Sequence, residues 1–92
     1  MRSLSYSKRF KKSLKRYIRS GNFNLNELQV LIQKVWRGER LEERYQNHKL
    51  SGVFEGYSEC HIRPDLLLIY HIDMQASRLT IFDIGSHSEL FG

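Results

Sequence analysis

Along the first forty positions the apolar residues recur with a helical period. Phe10, Leu14, Tyr17 and Ile18 fall at i, i+4, i+7 and i+8, one stripe of an amphipathic helix. Lys8, Arg9, Lys11, Lys12, Lys15, Arg16 and Arg19 fill the rest of its circumference. Ser7 is placed to cap its start, and Gly21 suits a left-handed stop. A second stripe runs through Leu25, Leu28, Leu31, Ile32 and Val35, closed by Gly38. Asn24 and Glu27 before it have the spacing of a capping box. Two helices joined by so few residues predict an antiparallel hairpin. Residues 1–5 predict a short strand with Leu4 as its apolar contact, and residues 39–49 a polar surface connection.

From Leu50 the period becomes strand-like. Val53–Phe54, Tyr57–Arg63, Leu66–Ile72 and Leu79–Ile84 are β-rich runs bounded by turn signals. Pro64–Asp65 separates the second from the third, and Asp73–Ser77 the third from the fourth. Such short connections predict an antiparallel meander. The run LLLIY (Leu66–Tyr70) is apolar on both faces, as a central strand would be. The helices, with one stripe each, must cover one sheet face. The expected fold is α+β: two N-terminal helices packed on one face of an antiparallel sheet, in a single domain over residues 1–92.

Composition narrows the class. Ninety-two residues bound the chain to one core, and 40% hydrophobic with 12% aromatic residues excludes wholesale disorder. No apolar run is long enough to span a bilayer, and no apolar stretch follows the first charges as a secretory signal would. Cys60 stands alone, which excludes an internal disulfide framework and CxxC metal sites. The expectation is a reduced, cytoplasmic protein with no membrane partner. Charge is unevenly shared. Residues 1–44 hold twelve basic and four acidic side chains, while residues 45–92 hold three and six. Between Arg2 and Arg19 there are eight cations and no acid. Such a block fits a polyanionic partner through counterion release, or else a helix face kept basic for solubility.

Four histidines, His48, His61, His71 and His87, fall in the second half of the chain. Imidazole changes charge near neutral pH, which suits a proton-transfer group. Strand alternation puts Tyr57, Glu59, His61 and Arg63 on one face, away from the helices, and Ser58, Cys60 and Ile62 on the other. Asp65 follows in a tight turn, and His87 comes just after the last strand. A histidine pair and a carboxylate can therefore meet at one edge of an open sheet face. Each residue also has a structural reading. A lone strand histidine is commonly an innocent surface residue, Asp65 can cap its turn, and a terminal helical turn can begin around His87 with Glu89 completing it. Tyr57, Phe91 and Trp36 read as packing residues before base-stacking platforms, and Cys60 as buried filler. No histidine pair has the helical spacing of a zinc motif, so neither a metal nor a cofactor is expected.

The stretch NHKLSGVFEGYSECHIRPD (Asn47–Asp65), followed by LLLIY and the ending GSHSELF (Gly85–Phe91), resembles the YafQ branch of the RelE superfamily. These are toxins of bacterial type II toxin–antitoxin pairs. The resemblance covers the C-terminal half with its motifs in order, while the N-terminal half matches in character, as two basic helices. It implies a RelE-like fold and a ribosome-dependent endoribonuclease that cleaves mRNA and halts translation. On the family pattern the catalytic residues map to His48, His61, Asp65 and His87, and the terminal phenylalanine to Phe91; Lys49, Arg63 and Leu66 are expected beside it toward the substrate. Some members carry Trp after the aspartate where this chain has Leu66, a departure that bears on codon preference and not on the reaction.

Metal-free RNA cleavage needs a base for the 2′-OH, an acid for the leaving 5′-oxygen and cations for the phosphate. His87 is then expected as acid, His48 and Asp65 as the base side, and His61 with Arg63 at the phosphate. Acid and base can be exchanged without changing the set. Lys8, Arg9, Lys11, Lys12, Lys15 and Arg16 are expected to meet ribosomal RNA or an acidic antitoxin segment that folds on binding. Operator DNA would be met only through the antitoxin complex. The rival reading is a non-catalytic nucleic-acid-binding module or degenerate toxin, which would need the basic patch but none of the histidines.

Overall fold

The computed structural model describes residues 2–92. Its elements begin where the sequence places their caps. Strand β1 (Ser3–Tyr6) covers most of the expected strand over residues 1–5, whose first residue lies outside the described ones. Ser7 accepts a hydrogen bond from the Phe10 N–H and starts helix α1 (Lys8–Arg19); Gly21, at φ +83°, provides the left-handed stop. Asn24 accepts from the Glu27 N–H and starts α2 (Leu25–Trp36). Only half of the capping box forms, because the Glu27 carboxylate reaches instead to Arg63.

Five strands form one sheet in the order β1-β5-β4-β3-β2, with β2 (His48–Lys49), β3 (Ser58–Arg63), β4 (Leu66–Asp73) and β5 (Arg78–Gly85). The β3–β4–β5 meander is antiparallel as expected, but the sheet as a whole is mixed, because β1 runs parallel to β5. Ser7 decides this. Its N–H donates to the Ile81 carbonyl and its hydroxyl to the Phe82 carbonyl, pinning the β1–α1 corner to the middle of β5. A four-residue strand carries no pattern that reveals its direction. Helix α1 then lies mainly against β5 and α2 against β3, so each helix packs on the sheet more than on the other.

Two further departures matter for the site. The expected surface connection over 39–49 contains β2, which pairs His48 with Glu59 and Lys49 with Ser58. Val53 and Phe54, expected in a strand, lie in a 3-10 turn over Gly52–Phe54 that leaves Val53 almost wholly exposed. Gly52 takes φ +67°, a conformation that favours glycine and starts the turn.

The main core lies between helices and sheet and includes Phe10, Leu28, Leu31, Ile32, Val35, Cys60, Leu68, Leu79, Ile81 and Ile84. In α1, Ile18 falls out of the buried stripe and Ser13 falls into it, since Ser13 donates to the buried Asp83 carboxylate. Asp83 also accepts from Arg9 at 2.8 Å. A smaller core of Leu67, Ile69 and Leu90 lies on the opposite sheet face, lined by Leu50, Phe54, Tyr57 and Phe82. That face is covered, not open. Helix α3 (His87–Phe91) is held over it by Leu90 and by a full capping box between Ser86 and Glu89. Gly85 permits the approach, because a Cβ there would stand 3.2 Å from the Glu89 carboxylate and 3.3 Å from Leu90.

Removing the buried Leu90 side chain should therefore loosen α3. We expect Leu90→Ala to cost about 2–4 kcal/mol in urea unfolding. It should also raise hydrogen exchange at the His87–Phe91 amides ahead of the β4 amides.

Candidate active site

The second core brings the chain's titratable groups together. Glu59 and His61 alternate onto its side of β3 and are both buried. The β2–β3 register sets His48 opposite Glu59. The Glu59 carboxylate thus faces two imidazoles, with Oε1 3.2 Å from His61 Nε2 and Oε2 3.5 Å from His48 Nε2. A carboxylate offers only lone pairs, so a favourable contact to either ring requires a shared proton. His48 is oriented from its other side, where Nδ1 donates to the Gln46 carbonyl at 2.8 Å. His61 Nδ1 is buried without a hydrogen-bond partner among the described residues. Leaving such a nitrogen unpaired costs about 1–3 kcal/mol.

The second group comes from the β3–β4 turn and α3. His87 donates to Asp65 Oδ1 twice, from its backbone N–H at 3.0 Å and from ring Nδ1 at 2.6 Å. This ties the α3 N-terminus to the turn and fixes the tautomer, leaving Nε2 free for other chemistry. The His87 backbone N–H first, and then its ring, hold the Asp65 carboxyl below its ordinary value. The His87 and His61 rings lie edge to face with centroids 5.7 Å apart. From α1, the Tyr17 hydroxyl donates to Glu89, and burial followed by that bond pushes the Tyr17 phenol up to about 12. Glu89 is correspondingly lowered, so Tyr17 remains a donor and α3 is braced from the helical side.

Not every expected residue joins this cluster. A β-bulge between His61 and Arg63 breaks the alternation and turns Arg63 to the helical side, where it pairs with Glu27 at 2.7 Å. Leu66, its cross-strand partner, packs against the main core there. Lys49 lines a separate cavity with Leu50, Tyr57 and Met74. Phe91 is one helical turn from His87 and meets Phe54 edge-on at 5.3 Å. Asp65 meets His87, not His48. His71 donates from Nδ1 to the Gly56 carbonyl and packs by Tyr57, away from the cluster. On α1, Arg9 is tied to Asp83 and Arg16 to Glu89, while Lys8, Lys11, Lys12 and Lys15 are exposed with no ion pair among the described residues. Cys60 is buried, and burial pushes its thiol up to about 12, as filler requires.

Glu59 is the residue that sequence reasoning passed over. Its signal was the two-residue spacing to His61 on one strand face; its closeness to His48 depends on β2, which no periodicity announces. Glu59, His61 and His87 also present ligand atoms within 4.8 Å of one another, a carboxylate–imidazole set suited to a transition metal.

A family model described as a bacterial toxin of type II toxin–antitoxin systems, YafQ, matches residues 2–92. The chain belongs to the YafQ toxin family. An Escherichia coli relative named mRNA interferase toxin YafQ is 30% identical, over 99% of this chain and 97% of its own length. Among solved structures, a metal-bound toxin from Helicobacter pylori superposes with a TM-score of 0.91 at 37% identity, covering 99% of this chain and 100% of its own. YafQ from the E. coli DinJ–YafQ complex superposes at 0.89 with 29% identity, covering both chains fully. The mixed five-stranded α+β fold is thus that of YafQ structures, and the resemblance extends over the N-terminal helices as well.

The Asp65–His87 tie has a pH signature. A depressed carboxyl contributes stability fully present above its ordinary 3.8 and lost as pH falls through the folded-state value. His87→Ala keeps the larger backbone contribution, so Asp65 should return only part of the way toward 3.8 in a carbon NMR titration. An unmoved Asp65 would mean that the imidazole does not bond it in solution.

Proposed function

We propose that this chain cleaves mRNA on the ribosome by metal-free acid–base chemistry carried by His48, His61, Asp65 and His87. As a YafQ-family toxin it is an mRNA interferase; the mechanism and the ribosome requirement are our reading. The observation that carries the mechanism is the pairing of His87 with Asp65 beside His61. An oriented imidazole thus stands edge to face with a second one, so that both can meet one phosphate.

In this mechanism the base is His48, whose Nε2 is left available by the Nδ1–Gln46 bond and has Glu59 beside it to stabilise the resulting imidazolium. It takes the 2′-OH proton, the 2′-oxygen attacks phosphorus, and the bond from phosphorus to the 5′-oxygen breaks. His87, as the imidazolium whose Nδ1–H is held by Asp65, protonates that leaving oxygen from Nε2. The products are a 2′,3′-cyclic phosphate and a 5′-OH. His61 stabilises the pentacovalent phosphate. Arg63, committed to Glu27, leaves that role. Phe91, on His87's side of α3, offers an exposed ring to the RNA.

Lys8, Lys11, Lys12 and Lys15 give α1 a free cationic face for ribosomal RNA. A cognate antitoxin with an acidic segment would cover the same face, as befits a relative of the YafQ seen with DinJ. Operator DNA is then met through that complex, and the site of action is the cytoplasm, where translation supplies the substrate. The Glu59–His61–His87 donors fit a metal as well, and the H. pylori neighbour is metal-bound. An ion held there would engage the imidazole nitrogens that acid–base chemistry needs.

Primer extension on programmed ribosomes tests the mechanism. His87→Ala should lower cleavage about 10²–10⁴-fold while ribosome binding persists. Protein stripped with EDTA and freed of it before meeting the ribosomes should cut at the wild-type rate, and Cu²⁺ loaded onto it should inhibit. Loss of activity on stripping, restored by a transition metal, would replace this mechanism by a metallonuclease. Neutralising Lys11, Lys12 and Lys15 together should weaken ribosome binding and lower its log–log salt slope by about 2. An unchanged slope returns these lysines to a solubility role.

A further inference from the structure

A second recess opens directly beside Asp65. The β3–β4 turn and the α1–α2 connection enclose a cavity of about 220 Å³, walled by Tyr17, Phe23, Ile62, Arg63, Asp65 and Leu66. We infer that this cavity is a nucleobase subsite, taking a single-stranded RNA base next to the scissile phosphate. The inference deepens the endoribonuclease reading and rests on it.

Position argues first. Asp65 is both the partner of His87 and a wall of the cavity. Tyr17, another wall, bonds Glu89 two residues beyond His87. An RNA strand whose phosphate lies at His87 therefore has this recess within one nucleotide of the cut. Shape argues second. The volume is below the usual 300–1,000 Å³ of drug-sized sites and fits a single planar ring system. Tyr17 and Phe23 stand with ring centroids 5.8 Å apart, and Phe23 is only half-buried, so an aromatic face is left for stacking. Leu66 contributes bulk but no π-face.

The rim supplies the polar half of recognition. Ser20, Asn22 and Asn24 line the cavity from the α1–α2 connection. The Asn24 side-chain oxygen caps α2, which leaves its NH₂ to donate. The Asn22 amide is exposed at the rim, and it can both donate and accept. Unstacked RNA bases are read in this way, by an aromatic face below and edge hydrogen bonds at the side. Arg63 lines the recess with guanidinium donors beyond the one given to Glu27, available to a base edge. An acidic peptide fits less well, because Glu27 and Asp65 both line the recess.

The test pairs Phe23→Leu, which keeps packing volume and removes the ring, with Asn22→Ala at an exposed position. Ribosome-programmed cleavage is measured with each of the four bases on either side of the cut. Phe23→Leu should raise KM about tenfold with kcat little changed, and Asn22→Ala should flatten the base preference at one flanking position only. In parallel, 2′-deoxy-protected tetranucleotides are titrated into the protein and followed by NMR at Phe23 and Asn22. Shifts at both residues that weaken in Phe23→Leu support the subsite even if wild type cuts nothing, in which case the nuclease reading fails alone. Wild-type cleavage with unchanged KM and base profile in both variants overturns the subsite and leaves the nuclease reading standing. Unmoved resonances with oligonucleotide, but shifts with an antitoxin peptide, make the recess a protein groove and also overturn it.

Discussion

Leu67, Leu68, Ile69 and Tyr70 follow one another in β4, and all four are buried. A strand's side chains alternate between faces, so this run is stable only where both faces of the sheet are covered. The two long helices can cover one. The other must be closed by the Leu50–Tyr57 segment and by α3, short pieces with little helical or strand propensity of their own. Their positions are held by Leu90, the Ser86–Glu89 capping box and the Tyr17–Glu89 bond. Every feature of the candidate site descends from that requirement.

Closing the second face buries Glu59 and His61, and it brings the α3 N-terminus onto the β3–β4 turn. The site therefore sits at the margin of a small core, with its carboxylate inside and His48, His87 and Asp65 toward solvent. This arrangement gives the two histidine groups different surroundings. Asp65 and His87 form an exposed couple whose geometry two hydrogen bonds fix. Glu59 and His61 form a buried couple that cannot reorient without disturbing the core. A rigid half beside an accessible half suits the proposed acid–base attack, which depends on positioning.

The bulge after His61 divides the surface. On one side lie the imidazoles; on the other, Arg63 and Leu66 turn toward α2 and the α1–α2 connection. One extra residue in a strand thus separates the imidazole cluster from the neighbouring recess while keeping Asp65 common to both. On α1 a similar division appears. Arg9 and Arg16 fasten the helix to Asp83 and Glu89, while the lysines between them stay free.

Local signals in the sequence determined both long helices, their caps at Ser7 and Asn24, the antiparallel meander, the buried Cys60 and the charge asymmetry. These depend on periodicity and on residues a few positions apart. The motifs likewise brought His48, His61, Asp65 and His87 into view together. Tertiary structure alone decided the parallel entry of β1, the strand at His48 and the turn at Val53. It also decided the partner of each site residue: His87 for Asp65, Glu59 for His48 and Glu27 for Arg63. The reason is physical. A two- or four-residue strand has too few positions to show a period, and a single bulge reverses every side chain beyond it. Pairing across 22 residues, as between Asp65 and His87, is settled only when the second core closes.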